Sequence, residues 1–342
     1  MRIILVGFGV VGQSLARIII SRKAELLRVY GFNPKVVAIV DKGGAIINPN
    51  GLDLANVILE KNKSGTVSSC PKYGKPEMEA LDVIESLKAE IVVEATPTNI
   101  SNGEPALSHI KTAFMTGKNV VTTNKGPLAL ALPALMELAE YNRVYFRFSG
   151  TVGAGTPILN LAKKCLLGDR IISIRGVLNG TTNFILTEME KKGSTFEDAL
   201  SEARRLGYAE ADPSMDVDGI DAACKLVIMA NWIMGMKVTL NDVEINGIRE
   251  VTPEDLEEAA ERGYTIRLVG SINNKLKVAP TEVSFEDPLS VKGVMNAVTY
   301  VSEFAGEETL IGEGAGGMAT ASAVLRDMLE IKENLSRRIA PI

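Results

Sequence analysis

Two stretches of this 342-residue chain hold residue types at spacings that chemistry can use. Gly7-Phe8-Gly9-Val10-Val11-Gly12 fits G-x-G-x-x-G between a short apolar strand, Arg2 to Val6, and a helical pattern from Val10 to about Ser21. In that setting the first glycine allows a tight turn, the second lets backbone approach a pyrophosphate, and the third permits close helix–strand contact. The helix N-terminus then offers free N–H groups to phosphates. The second stretch, Gly207 to Lys225, holds five carboxylates, Glu210, Asp212, Asp216, Asp218 and Asp221, ahead of the lysine. If a helix begins near Gly219, Asp221 and Lys225 stand four residues apart on one face and can pair. A solvated acidic loop with a surface ion pair is the competing reading. A calcium loop fails on spacing: Asp216-Val217-Asp218-Gly219 lacks the third oxygen ligand before the glycine and the closing glutamate.

The ribose end of a dinucleotide needs an acceptor after the second strand, and Asp41 stands there, although farther along than the usual spacing of about 20 residues. A long first crossover accounts for the excess. Asp41 also reads as an aspartate fixing its own turn. Lys42, Lys61 and Lys63 are close enough to meet a 2′-phosphate, so NAD and NADP both stay open. Thr96-Pro97 follows a strand's C-terminal end, at the crevice edge where open α/β sheets bind ligands. His109, the single histidine, lies midway along a predicted helix and reads as a core residue. Cys224 beside Lys225 is not read as a nucleophile, because adjacent helical side chains point about 100° apart.

Composition sets the outer bounds. The 37 basic and 42 acidic side chains leave a net charge of −5, which disfavours nucleic acid as a partner. Three scattered cysteines suit a reducing, cytoplasmic setting. No apolar run approaches the roughly 18 residues of a membrane span, so no membrane association is expected. No secretion signal, internal repeat or low-complexity segment is visible.

These residues need elements to position them. Strands are expected at Lys35 to Val40, Glu90 to Ala95, Asn119 to Thr123 and Val144 to Phe148, with helices at Asp82 to Lys88, Glu104 to Thr116 and Leu128 to Tyr141. The alternation implies an α/β fold with a Rossmann-type doubly wound parallel sheet. Beyond residue 149 the order changes. A strand at Arg170 to Leu178 precedes helices at Phe184 to Lys192, Phe196 to Leu206 and Gly219 to Met234, with strands at Thr265 to Ile272 and Leu276 to Val278. This is an α+β substrate-binding and dimerisation domain, expected over residues 150–311. The nucleotide-binding domain, 1–149, is joined by the C-terminal segment 312–342, whose helix is expected at Met318 to Leu329. Thr181 or Thr182 is expected to cap the helix near Phe184.

The motifs together resemble homoserine dehydrogenase. They run in that family's order: Gly7 to Gly12, Asn124-Lys125, Thr151-Val152-Gly153-Ala154-Gly155-Thr156-Pro157, Leu178-Asn179-Gly180-Thr181-Thr182-Asn183, and Gly207 through Lys225. The resemblance implies NAD(P)-dependent, reversible reduction of L-aspartate 4-semialdehyde to L-homoserine, on the route to threonine, methionine and isoleucine. It implies that Lys225 is the acid/base group, that Lys125 positions cofactor and substrate, that Glu210 meets the substrate amine, that Asp221 binds substrate and orients the centre, and that Asp216 joins the acidic set. It also implies a nicotinamide-side backbone contact at Gly314, a homodimer, and a monovalent cation (Na+ or K+) held by carbonyls of Val152, Ala154 and Thr156. Ser149 departs from the pattern there, since many relatives carry a glutamate. The chain reads as a short form without the ACT or aspartate kinase domain.

Physical chemistry agrees with that reading. An alcohol losing hydride must also lose a proton, and the site needs a group to exchange it plus charge complementary to a zwitterion. Burial and a second cation, Lys125, would disfavour charged Lys225, while Asp221 resists too large a shift. Two alternatives stay open: a related semialdehyde or hydroxy acid dehydrogenase, for which Glu210 has no purpose, and a non-catalytic dinucleotide-binding redox sensor, which needs no proton-transfer lysine.

Overall fold

The structure, a computed structural model, describes residues 1–339; the last three residues of the expected segment 312–342 lie outside the described residues. The N-terminal half builds β1 (Arg2–Val6), α1 (Val10–Ser21), α2 (Lys23–Tyr30), β2 (Lys35–Asp41), β3 (Gly44–Ile47), α3 (Leu54–Ser64), β4 (Gly74–Pro76), α4 (Ala80–Ser86), β5 (Ile91–Glu94), α5 (Ala106–Met115), β6 (Asn119–Thr122), α6 (Lys125–Tyr141) and β7 (Phe146–Arg147). Their sheet has the order β4-β3-β2-β1-β5-β6-β7. β1 pairs in parallel with both β2 and β5, and β5, β6 and β7 continue in parallel, whereas β3 and β4 add an antiparallel edge. Strands covered on both faces read as unbroken apolar runs, as Ile3 to Val6 and Ile91 to Val93 do. The chain runs from β1 to β2 and then crosses back to β5, so the switch point of the sheet falls at the end of β1, where Gly7 stands.

The second half continues with α7 (Ile158–Asn160), β8 (Ile171–Val177), α8 (Gly180–Lys192), α9 (Phe196–Arg205), α10 (Ser214–Val217), α11 (Ile220–Met234), β9 (Val243–Ile245), α12 (Pro253–Glu261), β10 (Tyr264–Ile272), β11 (Leu276–Ser284), β12 (Met295–Ser302) and β13 (Gly306–Glu313). Its sheet has the order β13-β12-β8-β10-β11-β9. Pairing is antiparallel except between β11 and β9. The final helix, α13 (Gly317–Ile339), belongs with the first half, where Ala321, Val324, Leu325, Met328 and Ile331 join the core of Leu5, Phe8 and Leu15.

Two compact units result, Met1–Thr151 with the chain from Gly316 onward, and Val152–Ala315. The cuts fall two and four residues later than the expected ones. Ser149 is tied into the first unit by Asp327 of α13, and β13 carries pairing on through Glu313 in the second. Helix starts also moved. α8 opens at Gly180, capped by the side chain of Asn179 accepting from Thr182 N–H, not by a threonine near Phe184. α6 opens at Lys125 under an Asn124 cap rather than at Leu128.

Candidate active site

In the first unit the glycine turn is built for close approach. Gly7 has φ +96°, and a Cβ there would stand 2.4 Å from the Ala95 carbonyl oxygen. Glycine tolerates this backbone region at no steric cost. Gly12 is similarly hemmed, by the Gly7 carbonyl at 2.4 Å, while Gly9 has nothing within 4 Å of its Cβ position. The N-terminus of α1 carries no side-chain cap and no acidic residue in its first turn. Val10 is 73% exposed over it. Open N–H groups beside an empty Cβ position fit a dinucleotide pyrophosphate. Val11 is half-buried, and the Phe8 ring lies in the core, so that residue has its backbone to offer a ligand.

Asp41 takes the turn-fixing reading. Its Oδ1 accepts from Gly43 N–H at 2.9 Å and Thr66 Oγ at 2.7 Å. Oδ2 accepts from Lys61 Nζ at 2.6 Å and Val67 N–H at 2.9 Å. A carboxylate has about four acceptor sites, so the side chain is spent on the fold instead of on ribose hydroxyls. Burial alone would raise its pKa, but these donors together hold it below the ordinary value.

Thr96 lies where the crevice was expected, after β5. The fully buried Glu94 accepts from Thr96 N–H at 3.1 Å and from its hydroxyl, and from Thr122 Oγ at 3.0 Å. Asn124 donates to the carbonyls of Thr96 and Pro97 at 3.1 and 3.0 Å. The same Asn124 caps α6 through Gly126 N–H at 3.0 Å, which sets Lys125 at the helix's first position, half-buried. His109 is buried in α5, with Nδ1 3.7 Å from Glu94. Glu94 as the hub of this network carries no signal in the sequence, because an acidic residue at the end of an apolar strand reads as its polar terminus.

In the second unit Lys225 and Asp221, both buried, pair one turn apart in α11 at 2.8 Å. Lys225 Nζ also donates to the Leu178 carbonyl at 2.7 Å. Asn179 Nδ2 reaches Asp216 Oδ1 at 2.6 Å and Asp221 Oδ2 at 3.0 Å. Burial pushes the Asp216 carboxyl up, with the Asn179 hydrogen bond acting against it and the charge of Asp221 adding to it. The acidic segment is therefore not a solvated loop at these positions: two carboxylates, an amide and a lysine form one bonded cluster. Glu210 is exposed on the loop between α9 and α10, outside that cluster. Gly314 is half-buried against Asn296. A buried lysine between a carboxylate and a carbonyl can hold or release a proton without water as intermediary.

The carbonyls expected to hold a cation form a tight turn in which Ala154 has φ +48°. The Thr156 carbonyl already accepts from Ile158 N–H at 2.8 Å, and Ser149 Oγ is bonded to Asp327 at 2.6 Å. Backbone carbonyls are neutral oxygens, and the one of Thr156 is already shared, so the turn has little to offer a cation. Among the described residues no group of three or more His, Cys, Asp or Glu could hold a metal.

A helix left open for phosphates at the switch point of a parallel sheet belongs to enzymes that borrow a hydride carrier, and the chain falls in the class of two-unit α/β dinucleotide-dependent dehydrogenases. A family model for homoserine dehydrogenase matches residues 157–329, and one for glutamate/leucine/phenylalanine/valine dehydrogenase matches residues 1–131. The chain is 48% identical over 332 residues to a homoserine dehydrogenase of Methanocaldococcus jannaschii, across 97% of this chain and 98% of that one. It is 40% identical over 347 residues to an NAD(+)-dependent homoserine dehydrogenase of Pseudomonas canavaninivorans, across 98% and 97%. A solved hyperthermophilic archaeal homoserine dehydrogenase in complex with NADPH matches with a TM-score of 0.84 at 36% identity, across 97% and 98% of the two chains. The chain belongs to the homoserine dehydrogenase family.

Proposed function

We propose that the chain catalyses the reversible NAD(P)-dependent reduction of L-aspartate 4-semialdehyde to L-homoserine, a step toward threonine, methionine and isoleucine. The observation that carries this reading is the buried Lys225–Asp221 pair in a unit that matches the family along most of its length. The dinucleotide, when bound, supplies or takes up the hydride. Lys225 accepts the hydroxyl proton during oxidation and returns it to the carbonyl oxygen during reduction. Of its three N–H bonds, one goes to Leu178 and one to Asp221, leaving the third for the reacting oxygen. Asp221 also steadies the ammonium form. Glu210 takes the substrate ammonium, with Asp216 adding negative charge near the amino-acid end. Lys125, at the start of α6, orients cofactor and substrate.

Residues 1–151 with the C-terminal helix form the dinucleotide-binding domain, through the backbone of Gly7 to Gly12 and Thr96. Asp41 is paired with Lys61 and Thr66, so its charge is compensated within the unit. With Lys61 held by Asp41 in turn, the site is compatible with either NAD or NADP. The carbonyls of Val152, Ala154 and Thr156 take Na+ or K+ weakly, and no proton step depends on it. The second unit also makes a homodimer; exposed Leu167, Ile172 and Phe304 support an apolar contact there. Three cysteines that form no disulfide fit a cytoplasmic setting, and among the described residues no helix is long and apolar enough to cross a membrane.

The test is reduction of NAD+ and of NADP+ followed by absorbance, with L-homoserine as substrate and L-lactate and L-threonine as controls. Turnover with homoserine alone is expected. Demonstrable dinucleotide binding without turnover, in Na+ or K+, overturns the reading in favour of a redox sensor.

A further inference from the structure

Asn296 lies in β12 with 3% of its surface exposed. Its Nδ2 donates to the Leu178 carbonyl at 2.9 Å, the same oxygen that receives Lys225 Nζ at 2.7 Å. Because that oxygen can only accept, the contact fixes which end of the amide is nitrogen. Oδ1 is left buried and without a hydrogen-bond partner. It packs against Gly314, where a Cβ would stand 2.5 Å from it. A buried unpaired acceptor is destabilising, so for packing alone a leucine of the same shape would serve at least as well. The position is also held from behind. Asn183 Nδ2 donates to the carbonyls of Val291 and Met295 at 3.2 and 3.0 Å, pinning the chain just before Asn296.

We propose that Asn296 is a positioning residue for proton transfer, acting on Lys225 through the Leu178 carbonyl. The inference rests on the reading of Lys225 as the proton-exchanging group. Around Nζ, α11 contributes Asp221, α10 contributes Asp216, and the turn after β8 contributes Asn179. The Leu178 carbonyl and the Asn296 amide, from β8's end and β12, are uncharged. A hydrogen bond to an ammonium favours the charged form. A carbonyl already drawn on by an amide N–H accepts the ammonium less strongly than a free one, because both donors share the same oxygen. Asn296 thereby fixes the direction of the carbonyl while withholding part of the stabilisation of charged Lys225. Without the amide, Lys225 gives up its proton only at higher pH.

The experiment is kcat for homoserine oxidation against pH in wild type, Asn296→Leu and Asn296→Ala, with Tm for each. The acid limb is expected to move to higher pH, so that kcat at the acid end falls about 5- to 10-fold relative to the alkaline plateau, a tenfold change matching one pKa unit. The leucine variant should melt no lower than wild type, having lost an unpaired acceptor. The alanine variant removes the same N–H without adding bulk and carries the comparison if leucine does not fold. NMR of protein labelled with carbon-13 lysine, with the Lys225 signal assigned from Lys225→Met, reads the titration without turnover, and its midpoint rises in the variants. A uniform loss of kcat at every pH, or an unmoved midpoint, overturns the inference. Failure of the underlying reading looks different, since Lys225→Met then turns over like wild type whatever the Asn296 variants do.

Discussion

Ser149 and Asp327 are joined twice, the Ser149 N–H donating to Oδ2 at 2.8 Å and its hydroxyl to Oδ1 at 2.6 Å, with both residues buried. Burial pushes the Asp327 carboxyl up to about 6 from 3.8, against the pull of the two Ser149 donors. A folded-state value above the unfolded one means that the folded protein holds the extra proton. This contribution is complete below 3.8 and lost as pH rises through about 6. At neutral pH the carboxylate is a burden. Asp327→Asn keeps an acceptor and a donor for Ser149, and should raise stability at neutral pH by about 1–3 kcal/mol while flattening the pH dependence in that window. Urea unfolding across the pH range measures both. A less stable variant at neutral pH would show that the charged contact outweighs the cost of burying it.

Lys225→Ala should lower kcat at least about 100-fold, the scale of a general acid/base, and leave the Kd for NAD(P)H nearly unchanged because the glycine turn is untouched. Steady-state turnover and fluorescence titration of the cofactor separate the two. Equal losses in both would move Lys225 from proton transfer to cofactor binding.

Gly9 and Gly7 should part company on substitution. Gly9→Ala meets nothing in the protein within 4 Å, so Tm should hold while the Kd for NAD(P)H rises about tenfold or more, the methyl standing where phosphate approaches. Gly7→Ala drives a methyl into the Ala95 carbonyl at φ +96° and should cost about 2–3 kcal/mol of stability before any ligand is added. Thermal melts of the two apo variants decide this.

Asp41→Asn should destabilise by about 2–4 kcal/mol at neutral pH, since it unpairs Lys61 and leaves the Thr66 and Val67 donors to a weaker acceptor. The wild-type carboxyl sits below 3.8, so this contribution is present above that value and lost as pH falls through the lowered one. The gap between wild type and variant should close at strongly acidic pH. An unchanged stability with a weaker cofactor affinity would return Asp41 to the ribose.

The first β-turn-α unit was legible because local and tertiary signals agree there: β1 and α1 occupy the residues that the apolar pattern and the glycine spacing mark. Legibility failed where polar helices carry little periodicity. α2 and α3 mix charged with apolar residues and leave little apolar stripe to read, and α2 is what lengthens the first crossover. The start of α8 was hidden because Gly180 follows its cap at once. At the site, Asp221 and Lys225 could be paired from spacing alone, as i and i+4 on one helix. Asn179 could be placed near them only through the family resemblance. Asn296 gave no signal, since its partners at Leu178 and Gly314 are brought together by strand pairing over long sequence distances. Asp41 misled in the opposite way: position at a strand end suggested a ligand, and only the turn that returns as Thr66 and Val67 shows its acceptors filled.

The division of the chain into an interrupted unit and a continuous one also sets an order of events during synthesis. Residues 1–151 leave the ribosome without Ala321, Val324, Leu325, Met328 and Ile331, the α13 side chains that close their core. The second unit, Val152–Ala315, is continuous in sequence and waits for no later segment of the chain. A nascent chain halted before Gly316 therefore displays the inward face of α1, Leu15, Ile18 and Ile19 included, to chaperones and proteases. Cofactor affinity in consequence appears only once α13 has been made and has closed that core.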